Sequence, residues 1–170
     1  MGTVNSKFRI AAVLLFGLVA ALAGGGTNMI AQSASSGGSR AAVQYLFPEQ
    51  VTVEAGKPSP VALHFRIAPG LHINSNTPRE EYLIPTEFSI PDSSGVKLKD
   101  AGYPAGTDIT LPIDPKTKLS VYTGEFVIRV RIVAPAGNHL VEGKLHYQAC
   151  NESQCLPPKT IPVAFDVIGK

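Results

Sequence analysis

The sequence contains no internal repeat, no heptad run, no Gly-rich phosphate loop of Walker type and no second long apolar segment. These absences exclude a solenoid, a coiled coil, P-loop nucleotide chemistry and a multi-span membrane protein. Basic residues form no stripe. The formal charge of +2 is carried by Lys7, Arg9 and Arg40. From residue 41 onward, 12 basic residues stand against 13 acidic ones, a balance of −1. Such a balance offers nothing to nucleic acid or to an anionic membrane surface, and neither is expected as a partner. No serine occupies a nucleophile-elbow context, which argues against a hydrolase. No run has the period of an amphipathic helix. Cysteine is scarce: only Cys150 and Cys155 occur, and none lies near the N-terminus to carry a lipid.

The N-terminus has the grammar of an export signal. A basic region (Lys7, Arg9) precedes an apolar run of 14 residues from Ile10 to Ala23, which ends in the small-residue site Ala21-Leu-Ala23. That run is shorter than the roughly 20 residues needed to cross a bilayer. We therefore read residues 1–23 as a signal peptide and 24–40 as a Gly/Ser-rich linker. An uncleaved anchor through Gly24 to Ile30 is the alternative, and a membrane is a partner only in that case. Residues 41–170 have the length of one domain with a real core. The domain is expected to be exported.

Within that domain the hydrophobic pattern has period two. Val61, Leu63, Phe65 and Ile67 alternate with Ala62, His64 and Arg66; Phe126, Ile128, Val130 and Ile132 form a second series; Ile161, Val163, Phe165 and Val167 form a third. Each predicts a strand with one buried face. Shorter candidates are Val51 to Glu54, Leu71 to Asn74, Thr86 to Ile90, Val96 to Ala101, Leu119 to Tyr122 and Leu145 to Ala149, separated by Pro- and Gly-rich breakers. Eight or nine such strands predict an all-β fold, an immunoglobulin-like antiparallel β-sandwich. The stretch from Pro104 to Lys118, with Pro104, Pro112 and Pro115, loses the alternation and reads as a long loop.

The two cysteines sit in Leu145-His-Tyr-Gln-Ala-Cys-Asn-Glu-Ser-Gln-Cys-Leu-Pro-Pro-Lys159. The pattern makes Cys150 the end of the strand starting near Leu145, Asn151 to Gln154 a turn, and Cys155 the approach to the strand starting near Lys159. A permanent disulfide is the usual fate of such a pair in an exported domain. Closing a loop of about six residues stabilises by only about 2 kcal/mol in the chain-entropy model, against about 4.7 kcal/mol for a loop of a hundred. The placement therefore suits exchange chemistry at least as well as stability, and both readings stand. In the structural reading the domain is a non-catalytic module that binds another exported protein. A soft-metal site of His146, Cys150 and Cys155 with His72 requires a bend, because His146 and Cys150 lie about 13 Å apart along a regular strand. His64 and His139 read as surface residues, on an outward strand phase and at a turn.

Four segments together resemble a known family: Gly70-Leu-His-Ile-Asn-Ser-Asn-Thr-Pro78, Leu83-Ile-Pro-Thr86, Val121-Tyr-Thr-Gly124 and Tyr147-Gln-Ala-Cys-Asn-Glu-Ser-Gln-Cys-Leu-Pro-Pro-Lys159. The chain from about Val43 to Val167 is similar to the N-terminal periplasmic domain of the thiol:disulfide interchange protein DsbD, and the last segment is the specific part. The resemblance implies an immunoglobulin-like sandwich whose cysteines receive electrons from a thioredoxin-like domain. They pass them to periplasmic disulfide isomerases and cytochrome c maturation proteins. It makes Cys150 and Cys155 the redox pair, needing no cofactor and no metal, and leaves the attacking and resolving roles unassigned.

That family shields its cysteines with a cap loop bearing an aromatic residue. The corresponding stretch here, Pro104 to Lys118, has no aromatic between Tyr103 and Tyr122, so Leu111 and Ile113 are the candidates to cover the pair. His72 and Tyr122 are further candidate neighbours. The sequence ends at Lys170 without a membrane section or a thioredoxin-like domain, so a thioredoxin-like or membrane electron donor is expected to act in trans, with periplasmic disulfide-bearing proteins as acceptors.

Overall fold

The computed structural model describes residues 41–46 and 50–170. The signal and linker readings for residues 1–40 lie outside the described residues. In chain order the strands are β1 (Val43–Leu46), β2 (Gln50–Val53), β3 (Ser59–Ile67), β4 (His72–Asn74), β5 (Glu87–Ser89), β6 (Lys97–Gly102), β7 (Thr107–Leu111), β8 (Asp114–Tyr122), β9 (Glu125–Val133), β10 (Gly137–Tyr147), β11 (Ala149–Cys150) and β12 (Lys159–Gly169). A single 3-10 turn at Asp92–Ser94 is the helical content of the described residues. The fold is an immunoglobulin-like β-sandwich. Among the described residues no helix is long and apolar enough to cross a membrane.

The strands form three four-stranded sheets, ordered β1-β3-β9-β6, β2-β12-β10-β5 and β11-β4-β8-β7. The alternation read from the sequence maps onto the core of the first two. Val61, Leu63, Phe65 and Ile67 of β3 and Phe126, Ile128, Val130 and Ile132 of β9 are buried, as are Val163, Phe165 and Val167 of β12. They join one apolar cluster with Val141, Leu145 and Tyr147 of β10. Removing that area from water at about 25 cal/mol per Å² is the main stabilising contribution. Most pairs are antiparallel as expected, but β2 runs parallel to β12, with Val51 opposite Val167. The strand β1, at the edge of the first sheet beside β3, carried no alternation long enough to be read from sequence.

Two readings are corrected. The segment from Pro104 to Lys118 is not a loop but largely the β7–β8 hairpin, with Asp108 opposite Ser120 and Ile109 opposite Leu119. Proline is tolerated because each one avoids the regular ladder. Pro104 precedes β7, Pro112 falls in the two-residue turn, and Pro115 falls where the register slips between Thr110/Lys118 and Leu111/Asp114. There Asp114 Oδ1 accepts bonds from the Lys116 and Thr117 amides at 3.3 and 3.4 Å.

The strand read as Leu145 to Ala149 begins at Gly137, pairs along its length with β12, and ends at Tyr147. It takes in His139, which is half-buried within β10 rather than at a turn, with Nε2 3.2 Å from Pro135 O. Its inward phase was hidden by Gly143, whose missing side chain is replaced by the Phe88 ring. A Cβ at Gly143 would lie 2.8 and 2.9 Å from Phe88 ring carbons and 3.1 Å from the Val163 carbonyl oxygen. Gly143→Ala is therefore expected to destabilise the domain by about 1–3 kcal/mol through overpacking, read as a lowered urea midpoint with unchanged m-value.

Candidate redox site

Residues 148–158 connect the last rung of the β10–β12 hairpin, Tyr147 opposite Lys159. At Gln148 the chain leaves the second sheet, and β11 pairs with β4 of the third, Ala149 opposite Ile73 and Cys150 opposite His72. It then folds back on itself. The Asn151 amide donates to Gln154 O (2.9 Å) and the Leu156 amide to Ala149 O (2.8 Å). Cys150 and Cys155 face each other between these two bonds, the non-hydrogen-bonded position at which opposed side chains come closest. The two sulfurs are joined as a disulfide, with Cα atoms 3.9 Å apart.

The turn has a local cause. Asn151 Oδ1 accepts hydrogen bonds from the Ser153 amide (2.9 Å), the Ser153 hydroxyl (3.1 Å) and the Gln154 amide (2.8 Å), an Asx-type arrangement. The base of the loop is held by Gln148, whose Nε2 donates to Leu156 O (3.3 Å). Its carbonyl accepts the Asn74 amide at 3.4 Å. Asn151 was discoverable from its type at the start of a turn; nothing in the sequence signalled Gln148.

The two cysteines differ in access. Cys150 is 2 % exposed, whereas Cys155 is exposed. Both faces of the short β4–β11 ladder are covered, since His72, Ile73, Ala149 and Cys150 are all buried. The pair is thus asymmetric, with one cysteine at the surface and the other inside the domain.

The structure brings some of the sequence candidates together and separates others. His72 lies directly opposite Cys150 and is 6 % exposed, with no hydrogen-bond partner at Nε2 among the described residues. Tyr122 is opposite Ile73, which puts it on the other face of the sheet, in the aromatic core. Its ring stacks on Phe126 at 5.1 Å, and its hydroxyl donates to Asn76 Oδ1 (2.7 Å) and accepts from the Asn76 amide (3.2 Å). Burial pushes that hydroxyl above its ordinary pKa.

His146 is on the second sheet, opposite Thr160 and Glu87, with Nδ1 3.0 Å from Thr160 Oγ1. His146 and Cys150 thus belong to different sheets, because the sheet switch at Gln148 lies between them. Among the described residues no group of three or more His, Cys, Asp and Glu is arranged to hold a metal ion.

The tip of the β7–β8 hairpin borders an open cleft of about 820 Å³. Leu111 and Pro112 form one wall; His72, Leu71, and Glu152 from the cysteine turn line other parts of it. Ile113 is 75 % exposed. Arg66 and Glu125 also line the cleft and pair with each other at 2.7 Å, a solvent-exposed bond worth little to stability.

Burial holds the His72 imidazole below its ordinary pKa of 6.5. The unfolded chain, with the ordinary value, binds a proton as pH falls past about 6.5 while the folded protein resists it. The stability linked to this group is thus complete above that pH and declines on acidification. In urea titrations from pH 8 to 5 we expect His72→Gln to flatten the decline that the wild type shows below about pH 6.5.

Residues 42–166 match the family described as thiol:disulfide interchange protein DsbD, N-terminal. No curated protein matches the chain. Among solved structures, the N-terminal domain of Neisseria meningitidis DsbD in its reduced form is 20 % identical, covering 68 % of this chain and 82 % of its own, with a TM-score of 0.45. The N-terminal periplasmic domain of ScsB from Proteus mirabilis is 13 % identical with a TM-score of 0.48; the match covers 72 % of this chain and 44 % of that one. With a family match spanning well over half its length, the chain belongs to the family of N-terminal domains of the thiol:disulfide interchange protein DsbD.

Proposed function

We propose that this protein is a periplasmic thiol–disulfide exchange module that passes electrons through Cys150 and Cys155 to the disulfides of partner proteins. The observation that carries the reading is the asymmetric disulfide: one exposed and one buried cysteine, on a turn at the edge of the third sheet. Family membership supports the same general chemistry.

In the loading half-reaction a donor thiolate attacks the Cys155 sulfur. The S–S bond breaks, its electron pair leaves with Cys150, and a second donor thiol releases the mixed disulfide. The domain is then a dithiol and the donor a disulfide. In the delivery half-reaction the Cys155 thiolate attacks a partner disulfide, and Cys150 resolves the mixed disulfide by attacking Cys155. Two electrons move in each half, and no cofactor takes part. The donor is a thioredoxin-like or membrane protein acting in trans; the acceptors are exported proteins with reducible disulfides.

The test is the reduction potential of the couple, obtained by equilibrating residues 41–170 in glutathione or dithiothreitol buffers and counting free thiols by mass shift. A value of about −270 to −120 mV is expected for exchange. A value well below about −300 mV is that of a structural disulfide and would overturn the proposal.

A further inference from the structure

Nε2 of His72 is a buried polar atom with no hydrogen-bond partner among the described residues in the disulfide state. Leaving such a group unsatisfied is costly, and an orphan of this kind in a folded protein calls for a cause. Its position supplies one. His72 is the cross-strand partner of Cys150; directly opposed residues have Cβ atoms about 4.5–5.5 Å apart and share a face of the sheet. A disulfide sulfur has no hydrogen to give. A thiol does.

We propose that in the dithiol state the Cys150 thiol donates its hydrogen to Nε2 of His72, so that reduction creates a bond that the oxidised protein lacks. This inference rests on the exchange reading for its use in turnover, but the bond itself does not depend on that reading. The histidine must be neutral, with its proton on Nδ1, to leave Nε2 as an acceptor. Burial favours that form. The charged groups sharing the cleft with His72 are Glu152 from the cysteine turn and the mutually paired Arg66 and Glu125. Cys155 is the remaining titratable group of the turn, and Tyr122 lies on the opposite face of the sheet.

Two consequences follow for the chemistry. A bond made only by the dithiol favours reduction of the couple. When Cys150 resolves a mixed disulfide, its S–H proton passes to Nε2, and the resulting thiolate attacks Cys155. The partner sulfur leaves with the S–S electron pair and takes a proton from water, and the imidazolium returns its proton to water through the cleft. Atoms, charge and electrons balance without another reagent. An aromatic hydrocarbon at residue 72 would fill the same space and accept no proton.

The experiment compares wild type, His72→Phe and His72→Gln, folded as judged by circular dichroism, in glutathione buffers from pH 6 to 9. We expect His72→Phe to lower the equilibrium constant for reduction about tenfold, equivalent to about 30 mV for a two-electron couple, and His72→Gln, which keeps an acceptor, to recover most of that. Equal potentials in wild type and His72→Phe would overturn the proposal. Should His72→Phe fail to fold, the wild type decides: its Nε2 nitrogen resonance should move on reduction by dithiothreitol, and an unmoved resonance would overturn the bond. A wild-type couple below about −300 mV together with the His72 effect would sustain the bond and remove the exchange reading; an exchange-range couple without the effect would remove the bond alone.

Discussion

Cys155→Ser is expected to form no mixed disulfide with a partner and Cys150→Ser to accumulate one, while neither variant turns over. The asymmetry follows from access in the proposed mechanism, since Cys155 is exposed and Cys150 is buried. Without Cys150 the first bond still forms, but nothing inside the protein breaks it. Without Cys155 the remaining thiol is 2 % exposed. The measurement is non-reducing mass spectrometry of each reduced variant after incubation with a disulfide-bearing protein. Trapping by Cys155→Ser instead of Cys150→Ser would reverse the assigned roles. The stability cost of either substitution should stay near 2 kcal/mol, because the closed loop is short. A much larger loss, with partner binding retained, would favour a structural disulfide.

The second large effect lies below the site. Phe126 is 6 % exposed, with its ring centroid 5.1 Å from both Phe65 and Tyr122. It thereby ties the first sheet to β8, which pairs with β4 and so supports the strand carrying His72. Phe126→Ala should cost about 3–5 kcal/mol from lost burial and an unfilled cavity, a large share of the stability of an ordinary domain. Thermal and urea unfolding measure the loss. The same variant should also speed hydrogen exchange at the Ile73 and Asn74 amides relative to those of β12, because removal of the ring loosens the third sheet first. A loss under about 1 kcal/mol would show that burial of the Phe126 ring contributes little to the stability of the domain.

Much of the sandwich was legible because burial on one face of a strand writes itself as period two. The series from Val61 to Ile67, Phe126 to Ile132 and Ile161 to Val167 needed no knowledge of their partners. Where that signature failed, a neighbour from elsewhere had changed the local rule. Gly143 broke the inward phase of β10 because Phe88 occupies its place. The prolines of the β7–β8 hairpin masked a paired structure, since the turn and the register slip that accommodate Pro112 and Pro115 are properties of the pair of strands. The sheet switch at Gln148 was invisible for a different reason. Leu145, Tyr147 and Ala149 are all buried, so the inward phase runs through the switch unbroken although the partner strand changes from β12 to β4.

The sequence by itself determined the β class, the faces of the longest strands, the turn between the cysteines and the nearness of the two thiols. These depend on side-chain period, on Asn151 at a turn, and on a spacing too short to hold the cysteines apart. Only the tertiary structure decided that Cys150 is buried and Cys155 exposed, that His72 stands opposite Cys150 while His146 and Tyr122 do not, and that Leu111 borders the cleft whereas Ile113 stays in solvent. The physical reason is that access and the neighbours of β4 arise from pairings between residues 47 to 78 apart in sequence. A local pattern records which face is apolar, but not what covers it.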